Sequence, residues 1–191
     1  MHRQELLDLL HRYKTSFMDE AAYQLRSIKF VKQYADCFYR ELWPAHVTGS
    51  SWVVNPQRSH VLMLHHKKHD QWFQPGGHAD GQADIVAVAL RETAEESGLD
   101  PSHIRLLSGE IFDIDIHSIP EIGHEPAHQH IDIRFLLEID SSLHLSGSDE
   151  SHQVIWVPLN RVSSFNNNRS TYRMLEKTRR MRFSFDLRQP V

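Results

Sequence analysis

Hydrophobic residues recur at helical spacing in two separate stretches of the first 45 residues. Side chains three and four positions apart share one face of a helix, so the pattern predicts two helices. No Gly/Ser-rich or Pro-rich linker follows them, and we expect them to pack on the rest of the chain or to form a dimer contact. We therefore divide the chain into a helical N-terminal extension, residues 1–45, and a main domain, residues 46–191. The two stripes are formed by Leu6, Leu7, Leu10 and Tyr13, and by Ile28, Val31, Tyr34, Ala35 and Phe38.

Beyond residue 51 the hydrophobic pattern becomes that of short β-strands separated by turns. Asn55-Pro56-Gln57-Arg58 is a turn sequence between the first two strands and predicts a hairpin. A last helix is predicted over Ser170–Met181. This order indicates an α/β (α+β) fold in which helices sandwich a mixed sheet. The predicted strands are Trp52–Val54, His60–His65, Ile104–Leu107, Ile111–Ile116, Ile131–Ile139 and Val154–Val157.

The segment from His117 to Gln129 fits neither regular element. It contains Pro120, Gly123 and Pro126, which interrupt both strands and helices. Loops of this length usually carry a function or lack fixed structure. Because it connects strands, we expect it to influence substrate choice.

One helix carries most of the candidate chemistry. Asp84 can cap its start and Gly98 can take the left-handed conformation that ends many helices. Between them, Glu92, Glu95 and Glu96 are spaced so that their carboxylates share one face, within reach of a common cation. Three glutamates alone would be explained better by a helix face in solvent.

The glycines before this helix predict a turn, and this turn favours a shared cation as the explanation for the three glutamates. Gly77, then Arg91-Glu92, Glu95-Glu96 and Gly98-Leu99 follow one another in the order and spacing of the Nudix box. The chain therefore resembles a Nudix hydrolase. Two positions depart from that motif: Ala83 stands where its first glutamate is expected, and Thr93 replaces an aliphatic residue. Asp84, one position later, could take over part of the missing carboxylate's role, but it would then compete with its role as helix cap.

The resemblance implies a function for each motif residue. Glu92, Glu95 and Glu96 correspond to the metal ligands of the family, with the backbone carbonyl of Gly76 as a further ligand. Oxygen ligands of this kind suit Mg²⁺ or Mn²⁺, which also bind water and substrate phosphate. Arg91 is expected to pair with Glu95 and to fix the direction of its carboxylate.

The remaining candidate residues lie outside the helix. Glu150, in an acidic turn before a strand, is our choice of general base, although an ordinary surface turn explains the same residues. His78, Gln74 and His130 are the candidate substrate-binding residues, because histidine donates hydrogen bonds near neutral pH. His128 and His130 alternate at the start of a predicted strand and could instead form a zinc site.

Composition narrows the function further. The chain has 40% hydrophobic and 24% charged residues, as ordinary globular proteins do. A net charge of −4 argues against nucleic acid as a partner. No apolar run is long enough to cross a membrane, and Met1–Glu5 does not begin a signal peptide, so we expect a cytoplasmic protein. Cys37 is the only cysteine, which excludes an internal disulfide.

Three hypotheses remain. The first is a Mg²⁺- or Mn²⁺-dependent pyrophosphohydrolase, which cleaves a nucleoside diphosphate linked to another moiety, such as ADP-ribose, by attack of metal-activated water. The second takes Ala83 as the mark of a domain that binds a nucleotide without hydrolysing it and acts as a sensor. The third is a zinc-dependent hydrolase that uses His128 and His130. The expected partner in each case is a small molecule, with a homodimer as a possible assembly.

Overall fold

The protein folds as a mixed sheet with helices on both faces, which confirms the predicted fold class. The computed structural model describes residues 2–121, 123 and 125–186, and side chains as far as Met181. The helices are α1 Gln4–Arg12, α2 Met18–Gln33, α3 Ile85–Ser97 and α4 Arg169–Asp186. The strands are β1 Ala45–Val54, β2 His60–His66, β3 Gln71–Phe73, β4 Gly76–His78, β5 Arg105–Leu106, β6 Asp113–Ile119, β7 His128–Glu138 and β8 Ser151–Pro158.

Strand β1 lies at the centre of the sheet. It pairs with β7 in parallel along its whole length, from Ala45 opposite Gln129 to Val54 opposite Glu138. It also pairs antiparallel with β4 and, at its end, with β2. The other strands extend these pairs: β3 and β8 lie against β2, and β5 and β6 lie against β7. The sheet is therefore mixed, with β1 and β7 side by side beneath the candidate site.

The two faces of the sheet are covered by different helices because neighbouring residues of a strand point to opposite sides. Trp52 and Val54 belong to the core cluster that contains Met174 and Leu175 of α4. Val53, between them, belongs to the cluster against which α3 packs. The turn after β1 is confirmed as the predicted hairpin connection, closed by a hydrogen bond from Arg58 N to Asn55 O.

The N-terminal helices share a core with the sheet. Leu10 of α1 and Val31 of α2 are buried in one cluster with Val47, Ile114 and Phe135. The expected packing of this extension on the rest of the chain is therefore confirmed. The second helix was predicted too late in the sequence. It spans Met18–Gln33, and the last residues of the predicted stripe, Tyr34, Ala35 and Phe38, lie after its end.

Several predicted boundaries were wrong. Strand β1 starts at Ala45, not Trp52, because the buried polar residues of its first half hid the strand pattern. Strand β6 runs to Ile119 and β7 begins at His128, so the predicted loop is shorter at both ends. Two residues of that loop, Ile122 and His124, lie outside the described residues.

A buried ionic network joins the N-terminal helices, the sheet and α4. Asp113 on β6 is fully buried, and three cations from other elements donate to it: Arg134, Arg173 and Lys177. Arg173 also donates to Asp19 of α2. These cations hold the pKa of the Asp113 carboxyl below its usual range against the opposing effect of burial. Among the described residues, none of the helices combines the length and apolar character that a bilayer crossing requires.

Candidate active site

A cavity of about 1050 Å³ opens beside the end of α3, and the residues predicted from the Nudix resemblance to bind the metal, catalyse the reaction or bind the substrate lie on its wall. The three glutamates therefore do share one face of the helix, as predicted. The candidates from distant parts of the chain lie on the same cavity wall, because the fold brings them together. The predicted residues on the wall are Gln74, Gly76, His78, Arg91, Glu92, Glu95, Glu96, His130 and Glu150.

Helix α3 has the boundaries that its sequence predicts. The Asp84 carboxylate accepts from Ala87 N at 2.9 Å, and Gly98 ends the helix with φ of 70°. Ile85 and Val88 bury the first turns against the core, and the glutamates follow on the same stripe. Asp84 thus acts as the helix cap, and Ala83 packs against the core.

Arg91 holds the acidic face together. Its Nη1 lies 2.8 Å from Glu92 Oε1 and 3.8 Å from Glu95 Oε2, and its Nη2 donates to His78 O at 3.0 Å. The expected pair with Glu95 is present, but the tighter contact is with Glu92. One guanidinium therefore faces two of the three carboxylates and ties them to strand β4.

The glycines before the helix form a strand where a turn was predicted. Gly76 and Gly77 lie in β4, opposite Ser50 and Gly49 of β1, and the turn comes later, at Asp80 and Gly81 with positive φ. Glycine suits both positions because a Cβ would collide with Ser50 at Gly76 and with Glu92 at Gly77. Gly76 N also donates to Glu96 Oε2 at 2.8 Å, which fixes the third carboxylate against the strand.

Two of the glutamates are strongly perturbed. Burial raises the pKa of Glu92 to about 7, with Arg91 opposing the rise and Glu95 and Glu150 adding to it. Burial raises the pKa of Glu96 to about 8, opposed by the hydrogen bond from Gly76. Such shifts are typical of functional sites. Deprotonation of both groups would place two negative charges close together, and a cation in the cavity would stabilise them.

We expect the metal-free protein to lose stability as the pH rises from about 6 to about 8.5. Folded Glu92 keeps its proton up to a pH of about 7 and folded Glu96 up to a pH of about 8, whereas the unfolded chain has already released both at its lower pKa. Unfolding therefore releases protons below these values and becomes more favourable as the pH rises towards them. Thermal melting in EDTA should show a Tm lower by roughly 5 °C or more at the higher pH. Added Mg²⁺ should stabilise the protein most at high pH. A Tm that rises with pH in EDTA would contradict these pKa shifts.

Gly77 provides a test of how the strand positions Glu92. A Cβ at Gly77 would lie 2.5 Å from Glu92 Cδ, and φ at this position is not positive, so alanine would displace the carboxylate without straining the backbone. We expect Gly77→Ala to weaken Mn²⁺ binding by roughly 10- to 100-fold in calorimetric titration, with little change in Tm. Gly109→Ala is the control, because a Cβ there meets nothing within 4 Å. Equal Mn²⁺ affinity in both variants would contradict the contact.

The sequence analysis missed a polar group on the cavity floor. Ser50 and Thr48 of β1 both donate to Asp132 Oδ1, at 2.7 and 3.0 Å, and Arg134 Nε donates to Asp132 Oδ2 at 2.7 Å. All four residues line the cavity. The strict alternation of polar and small or apolar residues over residues 45–50 was the signal that could have found them.

The histidines are arranged differently from the predicted zinc pair. His128 and His130 do lie together, with their Nε2 atoms 3.2 Å apart, but His128 Nδ1 is held by Pro126 O at 2.8 Å. His130 also faces His46 and His78, and among the described residues these three histidines have ring nitrogens close enough to hold one ion. His46 was not predicted. The group of three differs from the predicted pair in containing His46 and His78 and not His128.

Aromatic side chains can stack on a nucleotide base, and Phe73 lies on the cavity wall. Trp52 is buried in the core, where its Nε1 donates to Thr178. Trp72 packs against the same core and stacks on His65 at 4.9 Å between ring centroids. Phe112 also packs against that core. The aromatic side chain available to a ligand in the cavity is thus Phe73.

Comparison with known proteins places the whole sheet and α3 in one family. The sequence model of the NUDIX domain matches residues 45–178. A stretch of 82 residues is 30% identical to a probable DHNTP pyrophosphohydrolase of Lactococcus lactis subsp. cremoris, over 42% of this chain and 47% of that protein. The chain thus spans about half the length of this curated relative.

Solved structures share the fold at low sequence identity. A MutT protein from Methanosarcina mazei is 19% identical with a TM-score of 0.56, over 72% of this chain and 95% of that one. An Ap4A hydrolase from C. elegans is 17% identical with a TM-score of 0.51, over 74% and 96% of the two chains. The family match over most of the chain identifies the family, and these structures agree with it in fold. The protein belongs to the Nudix hydrolase family, as the spacing of Gly77, Arg91-Glu92, Glu95-Glu96 and Gly98 predicted.

Proposed function

We propose that this protein is a Mg²⁺- or Mn²⁺-dependent pyrophosphohydrolase that cleaves a nucleoside diphosphate linked to another moiety. The observation that carries the proposal is that the partly buried Glu92 and the buried Glu96 lie with Glu95 on the wall of a large cavity, beside Arg91. Carboxylates grouped in this way are all ionised only when a further positive charge, such as a metal ion, lies among them. Membership of the Nudix hydrolase family supports the hydrolase class.

The donor set fits a hard divalent cation. Glu92, Glu95 and Glu96 offer carboxylate oxygens, and the Gly76 carbonyl is a further proposed ligand. Oxygen ligands that leave positions for water and phosphate are typical of Mg²⁺ and Mn²⁺ sites. Such an ion would neutralise phosphate charge and lower the pKa of a bound water. The 2.8 Å hydrogen bond from Gly76 N to Glu96 and the contacts of Arg91 would hold the ligands in place beforehand.

Phosphoryl transfer of this type needs little from the protein beyond positioning, charge and a base. Glu150 is the proposed base, because it reaches the cavity from the turn before β8, opposite the helix. The other side chains are proposed to position the substrate. Gln74 would donate to it, His78 and His130 would line its binding pocket, and Phe73 would stack on its base. Lys67 and Lys68 line the same cavity and add positive charge for a polyphosphate.

The substrate panel follows from this chemistry and from the relatives. ADP-ribose and a nucleotide sugar test a diphosphate bridge, and a dinucleoside polyphosphate and dihydroneopterin triphosphate are suggested by the names of the two hydrolases above. Purified protein is incubated with each compound and Mg²⁺ or Mn²⁺, and products are separated by chromatography. We expect metal-dependent release of phosphorylated products from at least one compound, and no release in EDTA. Release that is unchanged in EDTA would contradict the proposal.

The alternative is a sensor that binds a nucleotide without hydrolysing it. The replacement of the first motif glutamate by Ala83 favours it, and the three retained glutamates count against it. Calorimetric titration with ADP-ribose and Mg²⁺ separates the two: tight binding with no product after prolonged incubation supports the sensor. Cytoplasmic location and a homodimer stay predictions, and size-exclusion chromatography with light scattering tests the latter.

A further inference from the structure

A second group of potential ligands adjoins the same cavity, two of its members lying on the wall. His46 on β1, His78 on β4 and His130 on β7 meet because β1 pairs with both of the other strands, and His46 is in register with His130. Their ring centroids are 5.1 Å apart for His46 and His78, 4.9 Å for His46 and His130, and 5.1 Å for His78 and His130. One nitrogen of each ring lies within 4.8 Å of the other two.

His46 is an unusual buried residue. Its side chain is 1% exposed, and neither ring nitrogen finds a hydrogen-bond partner of good geometry among the described residues; the backbone of Leu42 approaches the ring without meeting that geometry. A buried polar group without a partner costs free energy and needs an explanation. A bound metal ion would supply one, because imidazole ligates metals through a ring lone pair.

His128 prepares His130 for such a role. A carbonyl oxygen only accepts, so the 2.8 Å contact with Pro126 O places the His128 proton on Nδ1 and leaves a lone pair on its Nε2. That lone pair faces His130 Nε2 at 3.2 Å, which must then carry the proton. The lone pair of His130 is thereby assigned to Nδ1. A second group that fixes the tautomer of a ligating histidine is a common feature of metal sites.

We propose that His46, His78 and His130 bind a transition-metal ion of the zinc class, separately from the glutamates. Three imidazoles without a carboxylate suit Zn²⁺, Co²⁺ or Ni²⁺ rather than Mg²⁺. Zn–N bonds of about 2.0–2.1 Å in a tetrahedron place the nitrogens about 3.4 Å apart, so binding draws the rings together from the present spacing. Three protein ligands leave the fourth position open.

The fourth coordination position of the metal would face the cavity. His78 and His130 line the cavity that also contains Glu92 and Glu96, whereas His46 lies buried behind them. The fourth ligand therefore comes from the cavity, as water or as an anionic oxygen of a bound molecule. This inference does not depend on the proposed pyrophosphohydrolase activity, because a Zn²⁺ ion on the histidines needs none of the three glutamates.

The test is zinc binding by protein from which any affinity tag has been removed. We expect about one equivalent of Zn²⁺ to remain after dialysis, measured by mass spectrometry, and Co²⁺ to give the strong visible absorption of a tetrahedral site. His78→Asn and His130→Asn should each weaken Zn²⁺ binding by more than roughly 100-fold in a chelator competition. His103→Asn, at an exposed position, is the matched control and should bind as the wild type does.

Two further measurements keep the result interpretable. The Tm of each variant in chelator shows whether it folds, and a Zn²⁺-induced rise in Tm that is present in the wild type and His103→Asn should be absent in His78→Asn. The double variant Glu92→Gln/Glu96→Gln should retain Zn²⁺ even though the proposed hydrolysis is lost. Zinc that stays in His78→Asn but leaves the double glutamine variant would overturn the histidine site, as would a wild-type protein without stoichiometric zinc.

Discussion

Replacing Glu96 with glutamine should reduce kcat/KM by roughly 10³-fold, on whichever compound of the panel the wild type hydrolyses. A metal ion contributes several kcal/mol to stabilising a charged transition state, and about 1.4 kcal/mol corresponds to a factor of ten in rate. Glutamine keeps an oxygen that can accept from Gly76 N, so the strand contact survives while the charge is lost. The measurement is steady-state kinetics over a range of Mg²⁺ concentrations.

The Tm of the metal-free variant shows whether a loss of activity in Glu96→Gln comes from misfolding. Because burial raises the pKa of Glu96 to about 8, the folded side chain is largely neutral at pH 7 without metal, and the neutral amide should leave the metal-free Tm unchanged or higher. Glu5→Gln, at an exposed position of α1, is the control and should keep full activity. Wild-type turnover in Glu96→Gln would contradict a metal-binding role for this residue.

Replacing Arg173 with methionine should lower the free energy of unfolding by about 3–5 kcal/mol, the usual cost of breaking a buried ion pair from one side. The Arg173 side chain is 2% exposed, and its Nε and Nη2 each lie 2.8 Å from an oxygen of Asp113. The variant leaves Asp113 with fewer cations and removes the contact with Asp19 of α2. Chemical denaturation measures the change, and the Tm should fall by roughly 10 °C.

Arg179→Met is the matched control on the same helix. Arg179 pairs with Glu176 at the surface, with 45% of its side chain exposed, and such pairs contribute about 1 kcal/mol or less. Similar losses of stability in the two variants would contradict the buried network. A large loss in Arg173→Met alone would show that the N-terminal helices and α4 are stabilised through the same residue.

Local patterns were sufficient to predict the catalytic helix. Asp84 and Gly98 each satisfy a requirement of one helix end, and the positions of Ile85, Val88 and the glutamates follow from the helical repeat. The side-chain cap and the left-handed Gly98 are both present. The motif also predicted the fold class and the family, because a specific spacing over some twenty residues is seldom met by chance.

The first half of β1 could not be predicted as readily, because it buries polar residues. His46, Thr48 and Ser50 are buried polar residues, and Thr48 and Ser50 line the cavity, so hydrophobicity does not mark them as strand residues. Their partners, such as Asp132, are far away in sequence. Pairing of β1 with β7 over ten residues brings them together, and such long-range contacts leave no local signal.

The strand β4 was missed for a related reason. Glycine is rare in strands, and two in succession favoured a turn. In the structure Gly76 and Gly77 lie between Ser50 and Glu92, where a larger residue would collide with one or the other. The requirement comes from packing against α3 and β1, and it becomes visible only when all three elements are in place.

The most direct test is a crystal structure of the protein with Mn²⁺ and a non-hydrolysable analogue of the best substrate. Anomalous scattering locates the ion independently of the side chains. We expect an ion bound by the carboxylates of Glu92 and Glu96, about 2.0–2.3 Å from their oxygens, and in contact with the phosphates of the analogue. Carboxylates directed into bulk water, with no ion between them and the phosphates, would contradict the proposed function.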